Sequence, residues 1–502
     1  MGRVVFLWFT TMIMSFFSSR GWESWDVGCR PLIPEAMPVL VDEDLLFEDG
    51  PGAPRPTVAV NRWLRELPVS GAPAPSTWEN YARAVKEWTE FLTAHGVGLF
   101  DSRERLKLGL SRYAEHRAAG PLGQRLAAST WGQHMSVLSM FYRWALAEGY
   151  ARAEPFTYKT ARALFHGTGR EVRVNLAVRR TPKPHVTIKY LEPDFVALFL
   201  NGLRGLAPDG LLDNGYRGRE LTRNAAVAGL ALATGLRLAE FTFLLTYEIP
   251  ALPLRPSPIP VPFGVPAGVS KGRKFRATWI SYDALAAVHQ YLELERAATV
   301  DGSPWRPPRR WGEPLLVTAP DARGGRVNGV RRSWDTLTPG ERRRLVAPTG
   351  GSCLLAVKGG GGPFTAWPTV FERTADRLRV RFEPRFPHVH PHRLRHSFAM
   401  RTLEFLVTGH YRQAARLVKD TDTDAALALY LCKADPLLVL RDLLGHSTVL
   451  TTEKYLRRLD TTRIYREAYE QAGITDGLLS EQARAEREVD AEFAGDTDGG
   501  LA

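Results

Sequence analysis

A chain of 502 residues exceeds one ordinary hydrophobic core, and 44 % apolar with 24 % charged side chains is globular composition, so at least two folded domains are expected. The formal charge is +12, and residues 476–502 alone hold eight acidic side chains against two arginines, leaving the remainder near +18. A basic body with an acidic end points to a polyanion, with nucleic acid ahead of an anionic membrane surface. Three well-separated cysteines, Cys29, Cys353 and Cys432, exclude a disulfide framework and a CxxC metal site and fit a reducing cytoplasm. No GxxxxGK[ST] phosphate loop is present, which argues against nucleotide hydrolysis.

In chain order, Val4 to Phe17 is an apolar run behind Arg3, too short to span a bilayer and followed by no small-x-small cleavage site. It reads as a disordered or spuriously translated extension, with Met37 an alternative start. Residues 1–75 are expected to be a largely flexible N-terminal extension, Pro/Gly/Ala-rich over 49–76 around one short helix, Val60 to Leu67. Residues 76–155 read as a small helical domain. Trp78, Tyr81, Val85, Trp88, Phe91 and Leu92 recur at helical spacing after a Ser76 or Thr77 cap, and a second helix after Ser129 carries Trp131, Met135, Leu138, Phe141, Tyr142 and Ala145. Residues 156–190 are rich in Arg and Lys and read as a basic linker crossing a phosphate backbone, or simply a solvated one. Residues 191–470 are expected to form the larger body, helical with a small sheet, and 471–502 an acidic tail; the whole is mainly α with a small β-sheet, an α+β fold.

Chemistry gathers in the larger body. TGLRLAE places Arg237 in the first turn of a helix that follows a Gly235 stop, with Glu240 one turn on; alone, this is an ordinary structural ion pair. VSKGRKFRATWIS puts Lys271 at the tip of a basic hairpin, with Lys274 in reserve. HPHRLRH aligns His392 and Arg395 on one face of a helix opened by Pro391. The histidines 388, 390, 392 and 396 suggest zinc, but no Cys or carboxylate accompanies them. LLGHSTVLTTEKY sets His446 after a Gly445 turn and Tyr455 nine residues later; a lone Tyr there would be a packing residue.

These four motifs, in this order, resemble the successive motifs of the tyrosine recombinase, or phage integrase, superfamily, and the similarity extends over residues 76 to 470. The HxLRH and LLGH elements are the specific ones. The segment 76–155 is similar to the family's helical core-binding (SAM-like) domain. The resemblance implies a site-specific recombinase in which Tyr455 is the nucleophile and forms a 3′-phosphotyrosine with one DNA strand. Arg237 and Arg395 would stabilise the phosphate, His392 would act as base, Lys271 as general acid and His446 as a phosphate hydrogen-bond donor. No cofactor, metal or ATP is expected. The implied partners are double-stranded DNA recombination sites, a homo-tetramer on DNA and an accessory directionality protein, with 459–474 as a docking helix. Two departures from the compact pattern are expected to be insertions: 301–362, read as loops, and 407–434 within the 54-residue interval between His392 and His446. Rival readings are a type IB topoisomerase-like enzyme, a DNA-binding protein that has lost catalysis, and a membrane-associated basic protein.

Overall fold

The computed structural model describes residues 12–19, 32–42, 55–72, 74–165, 168–179, 189–409 and 435–456. The insertion at 410–434, the docking helix at 459–474 and the acidic tail therefore lie outside the described residues. The fold is mainly helical with small sheets, and the chain divides into two compact units, 1–184 and 185–502.

The first unit is built on α1 (Pro56–Glu66), α2 (Pro75–Ala94), α3 (Arg103–Arg117) and α4 (Ala128–Ala147), with two hairpins, β1–β2 (Ile13–Phe16, Pro38–Val41) and β3–β4 (Tyr158–Phe165, Thr168–Asn175). Pro75 occupies the first turn of α2, where its missing N–H costs nothing, so the helix starts one residue before the expected Ser/Thr cap. The aromatic stripes of α2 and α4 face one another. Trp88 and Trp131 are buried, and Trp88 Nε1 donates to Tyr142 Oη at 3.0 Å, which in turn donates to the Leu99 carbonyl at 2.8 Å. Buried ring polar atoms are thus satisfied, as a dry aromatic core requires. Gly109 of α3 meets α2 at the closest approach, where a Cβ would stand 2.6 Å from Leu92 Cδ2.

Two expectations change here. The lead-in before 76 is not uniformly loose: Val60, Trp63 and Leu64 of α1 and Met37 and Leu40 of the β2 region are buried in the same core. Asn61 ties β2 to α1 by a two-way amide clasp with Leu40, N–H to Oδ1 and Nδ2 to carbonyl, both 2.8 Å. The basic stretch from 156 pairs into the β3–β4 hairpin in place of a plain linker, with Arg173 stacked over the Tyr158 ring at 4.7 Å.

In the second unit the Ala-rich helix α6 (Leu221–Thr234) is buried on most of its circumference, because small side chains let several neighbours close on it. Around it lie α5 (Pro193–Leu203), the short α7 (Leu238–Thr242), the hairpin β5–β6 (Val261–Val265, Arg276–Ile280) and α8 (Tyr282–Tyr291), which continues through a wider turn into α9 (Ala297–Val300). Residues 301–362, expected as loops, contain a four-stranded sheet of order β10-β7-β8-β9. Its strands are β7 (Leu315–Thr318), β8 (Gly324–Val327), β9 (Val330–Ser333) and β10 (Leu345–Val346), the last parallel to β7 and the others antiparallel. Short strands interrupted by Gly, Pro and Arg conceal it from periodicity.

The sheet is anchored by one fully buried guanidinium. Arg342, in α10 (Pro339–Arg342), donates to both Glu248 oxygens at 2.7 and 2.8 Å and to the Phe243, Leu337 and Trp334 carbonyls. Burial pushes the Glu248 carboxyl upward, and Arg342 counteracts that push. Arg342→Met strands this carboxylate in the core and is expected to cost about 3–5 kcal/mol of stability. A urea melt of Arg342→Met beside the double variant Arg342→Met/Glu248→Gln checks it; a single variant as stable as wild type would refute the anchoring role.

The unit closes with α11 (Trp367–Arg381), α12 (Pro391–Val407), α13 (Pro436–Leu444) and α14 (Leu450–Glu453). Asp435 caps α13 by accepting from the Leu437 and Leu438 amides at 2.8 and 3.1 Å, with Pro436 in the first turn.

Candidate active site

Two helices end on left-handed glycines, and each glycine delivers a candidate side chain. Gly235 closes α6 at φ 64°, and its hydrogen side is pressed on Phe398, which a Cβ would meet at 2.3 Å. The chain then turns so that Arg237 becomes the N-cap of α7. Gly445 closes α13 at φ 62°, where a Cβ would lie 2.6 Å from Arg276 Cδ, and His446 follows. Glycine is the residue that reaches this conformation without steric cost, and here it also permits close approach.

Arg395, on α12, bridges these two ends. Its Nη1 donates to the Gly235 carbonyl at 2.5 Å and its Nη2 to the Leu444 carbonyl, and the side chain is only 1 % exposed. Burial, reinforced by repulsion from Arg237 and Arg276, lowers its pKa to about 9.

The buried carboxylate of Glu240 organises the other guanidinium groups. It accepts from the Arg237 amide at 2.7 Å and from Arg237 Nη1 at 2.9 Å, satisfying the N-cap amide of α7. It also receives a two-pronged contact from Arg276 of β6, both bonds 2.7 Å. Burial alone would raise the Glu240 carboxyl; the bonds and charge of Arg276, then of Arg237, outweigh it and hold the group below the usual carboxylate range. Arg276 is further fixed by Nε donating to the Leu443 carbonyl at 3.2 Å. Sequence reasoning did not single out Arg276; its place in the VSKGRKFRATWIS segment beside Lys271 was the available signal.

Tyr455 follows α14 and is 1 % exposed, its ring packed with Trp279, Phe398, Met400, Leu440 and Leu444. Its hydroxyl lies 2.8 Å from Nδ1 of His396, while His392, the residue expected to serve it, instead packs edge-on against His396 at 4.4 Å between ring centroids. The Lys454 ammonium stands over the Tyr455 ring at 5.1 Å. Burial raises the phenol to about 12, with Arg395 and then Arg237 pulling the other way. His446 Nδ1 is 3.0 Å from Thr452 Oγ1. Burial and the surrounding cations depress all three imidazoles: His396 and His446 to about 3, and His392 downward, with Arg395 the leading charge on His392 and His446. In the DNA-free chain they are neutral near pH 7, so each can accept a proton or a hydrogen bond.

The fold therefore gathers Arg395, His392, His446 and Tyr455 with Arg237, and adds His396, Glu240, Arg276 and Lys454. Lys271 and Lys274 sit exposed on the loop between β5 and β6, apart from that cluster's contact network. This loop is held by Ser270, whose Oγ accepts from the Lys274 amide at 2.9 Å and donates to the Lys274 carbonyl at 2.6 Å. Among the described residues no group of three or more His, Cys, Asp or Glu converges as a metal site, and no helix is long and apolar enough to cross a membrane.

Residues 60–149 match the phage integrase N-terminal SAM-like domain. Tyrosine recombinase XerC of Alcanivorax borkumensis is 23 % identical over 400 residues, covering 79 % of this chain and 88 % of that protein. Among solved structures, the Tn1549 transposon integrase in complex with a circular intermediate DNA is 14 % identical at TM-score 0.45, over 82 % of this chain and 99 % of that one. XerH site-specific recombinase bound to palindromic difH substrate is 14 % identical at TM-score 0.42, over 79 % and 80 %. The SAM-like segment and the XerC relative, which spans both units, make this chain similar to tyrosine recombinases.

Proposed function

We propose that this protein is a site-specific DNA recombinase or integrase that cleaves and rejoins strands through a covalent 3′-phosphotyrosine at Tyr455. The observation that carries the reading is the convergence of Arg237, Arg395 and three neutral imidazoles around one buried phenol, from segments far apart in the chain. Attack by Tyr455 Oη on phosphorus forms the O–P bond and breaks the bond to O5′. The pentavalent state carries more negative charge than the diester, and preorganised guanidinium groups lower its energy most. Arg237 and Arg395 supply that charge. The phenolic proton passes to His396 Nδ1, the acceptor within hydrogen-bond distance, and His392 and His446 hydrogen-bond the non-bridging oxygens. Because Tyr455 and Arg395 are both sealed from solvent, productive DNA binding requires the 446–456 segment to shift outward. The covalent intermediate stores the diester, so a second 5′-hydroxyl reverses the step without ATP or metal. Partners on this reading are duplex recombination sites, further copies of the chain as a tetramer, and an accessory directionality protein.

The reading is tested by incubating the full chain with nicked duplexes of randomised sequence and recovering protein–DNA adducts under denaturing conditions. Adducts mapping to the Tyr455 peptide support it; their absence, or another attachment residue, overturns it. Lys271 on its exposed loop is assigned as the general acid that protonates the leaving O5′. Lys271→Ala is expected to slow cleavage of normal DNA by about 10²–10⁴-fold. A 5′-bridging phosphorothioate, whose sulfur leaves without a proton, restores the rate. Equal slowing on both substrates removes the role from Lys271 and moves it to Lys274 or elsewhere.

A further inference from the structure

Residues 301–363 carry eleven Lys and Arg against five Asp and Glu, so this insertion holds a large share of the protein's positive excess. Much of the accessible part sits on one rigid hairpin. β8 and β9 join through Asn328-Gly329, both at positive φ (48° and 84°), the two-residue turn that matches strand twist. Gly324 and Gly325 let β9 and Trp334 close on β8: a Cβ at Gly325 would meet Trp334 Cη2 at 2.7 Å. All four residues of β9 are exposed, and β9 is the edge of the sheet.

On this scaffold Arg326 stands directly opposite Arg331 in the strand register. Like charges facing each other across strands are destabilising. A single exposed carboxylate, Asp321, pairs with Arg331 at 2.6 Å, while Arg326 reaches only the Gly329 carbonyl at 3.3 Å. Arg332 lies on the alternate face of the same strand. Directly after β9 the chain grips the loop that carries Lys271. Asp335 Oδ1 accepts from the Ala267 amide at 2.7 Å, Thr336 O from Arg273 Nη2 at 3.3 Å, and Gly268 is so close to the Leu337 carbonyl that a Cβ would stand at 2.3 Å. The hairpin and the Lys271 loop are therefore one connected body with a run of free cations: Lys271, Lys274, Arg326, Arg332 and the partly neutralised Arg331.

We infer that the β8–β9 hairpin is an accessory DNA-binding wing, whose Arg326, Arg331 and Arg332 contact duplex phosphates beyond the cleaved bond while its base sets the Lys271 loop. The inference rests on the DNA-cleaving reading above. The bland alternative is that these charges only guard an edge strand against pairing with another chain. The two differ in salt dependence, since each phosphate contact contributes about 0.9 to the slope of log affinity against log salt on duplex DNA.

The experiment compares the full-length wild type, the triple variant Arg326→Ala/Arg331→Ala/Arg332→Ala and the matching triple Lys variant, on a long fluorescent duplex of arbitrary sequence across a salt series. The expected result is a slope about 2–3 shallower for the Ala variant, the wild-type slope for the Lys variant, and unchanged helical content in both. An Ala variant with the wild-type slope leaves edge protection as the hairpin's role and overturns the inference, as does an equal fall in the Lys variant, which would report a structural effect. Wild type failing to bind duplex at all would instead sink the DNA-cleaving reading itself.

Discussion

Tyr455→Phe is expected to abolish covalent attachment to nicked DNA while leaving DNA affinity near wild type. The substitution deletes only the oxygen that sits 2.8 Å from His396 Nδ1, and the ring stays packed among Trp279, Phe398 and Leu444. Removal of a buried hydroxyl leaves the imidazole without that partner, a loss of about 1 kcal/mol in stability. On the proposed mechanism nothing replaces the Tyr455 oxygen as nucleophile, so adduct formation should fall to background. His396→Ala separates attack from acid–base assistance: the nucleophile remains, and cleavage is expected to slow by about 10²–10⁴-fold. Denaturing gel separation of adducts over time reads both variants. Adduct persisting in Tyr455→Phe would assign the attack to another side chain.

Glu240→Gln is expected to damage stability and rate together. The carboxylate is 1 % exposed and neutralises Arg237 and Arg276, with Arg395 adding to the local positive field. Deleting one partner of a buried ion pair costs about 3–5 kcal/mol, and Gln, which keeps the shape, should fall at the lower end. Arg237 also loses its orienting bonds, and small misplacements at a reacting centre cost about 10²-fold in rate. The pH dependence has a definite sign. Because the folded Glu240 pKa is depressed, its contribution is complete above the unfolded carboxyl value, about 4.3, and is lost as pH falls through the lower folded value. Wild type therefore loses this increment in acid and Glu240→Gln has none to lose, so their stabilities should converge towards low pH. Parallel pH–stability curves would contradict the assignment.

Periodicity exposed the elements whose apolar spacing is regular: α2 and α4 follow their stripes, Pro391 opens α12 as expected, and the Gly235 and Gly445 stops mark real helix ends. It did not expose α3, where Leu106, Gly109 and Tyr113 alone are buried on an otherwise polar helix. Nor did it show that Trp63 and Leu64 complete the first core, because the flanking Pro and Gly suggested loose chain. Basic residues masked the alternation of β3–β4, and the four short strands of the insertion are too brief to give a pattern. Motif order located the segments of the site, while partner choice depended on tertiary approach. His392 and His396 share a helix face at one-turn spacing, and only the path of the 446–455 segment brings the phenol to His396. Glu240 was legible as the partner of Arg237, but its second guanidinium, Arg276, arrives from a strand.

The joint made by Arg395 between the Gly235 and Leu444 carbonyls has a thermodynamic side. In the DNA-free chain this guanidinium, Arg237 and Arg276 gather about one buried carboxylate, and burial first, then repulsion from Arg237 and Arg276, is why Arg395 holds its proton less tightly than an arginine in water. A phosphate entering as proposed would relieve that repulsion at the same atoms that join the ends of α6 and α13. On the proposed function, DNA would act as a folding ligand for the very junction that processes it: whatever stability the empty pocket forgoes would reappear as affinity when it is filled.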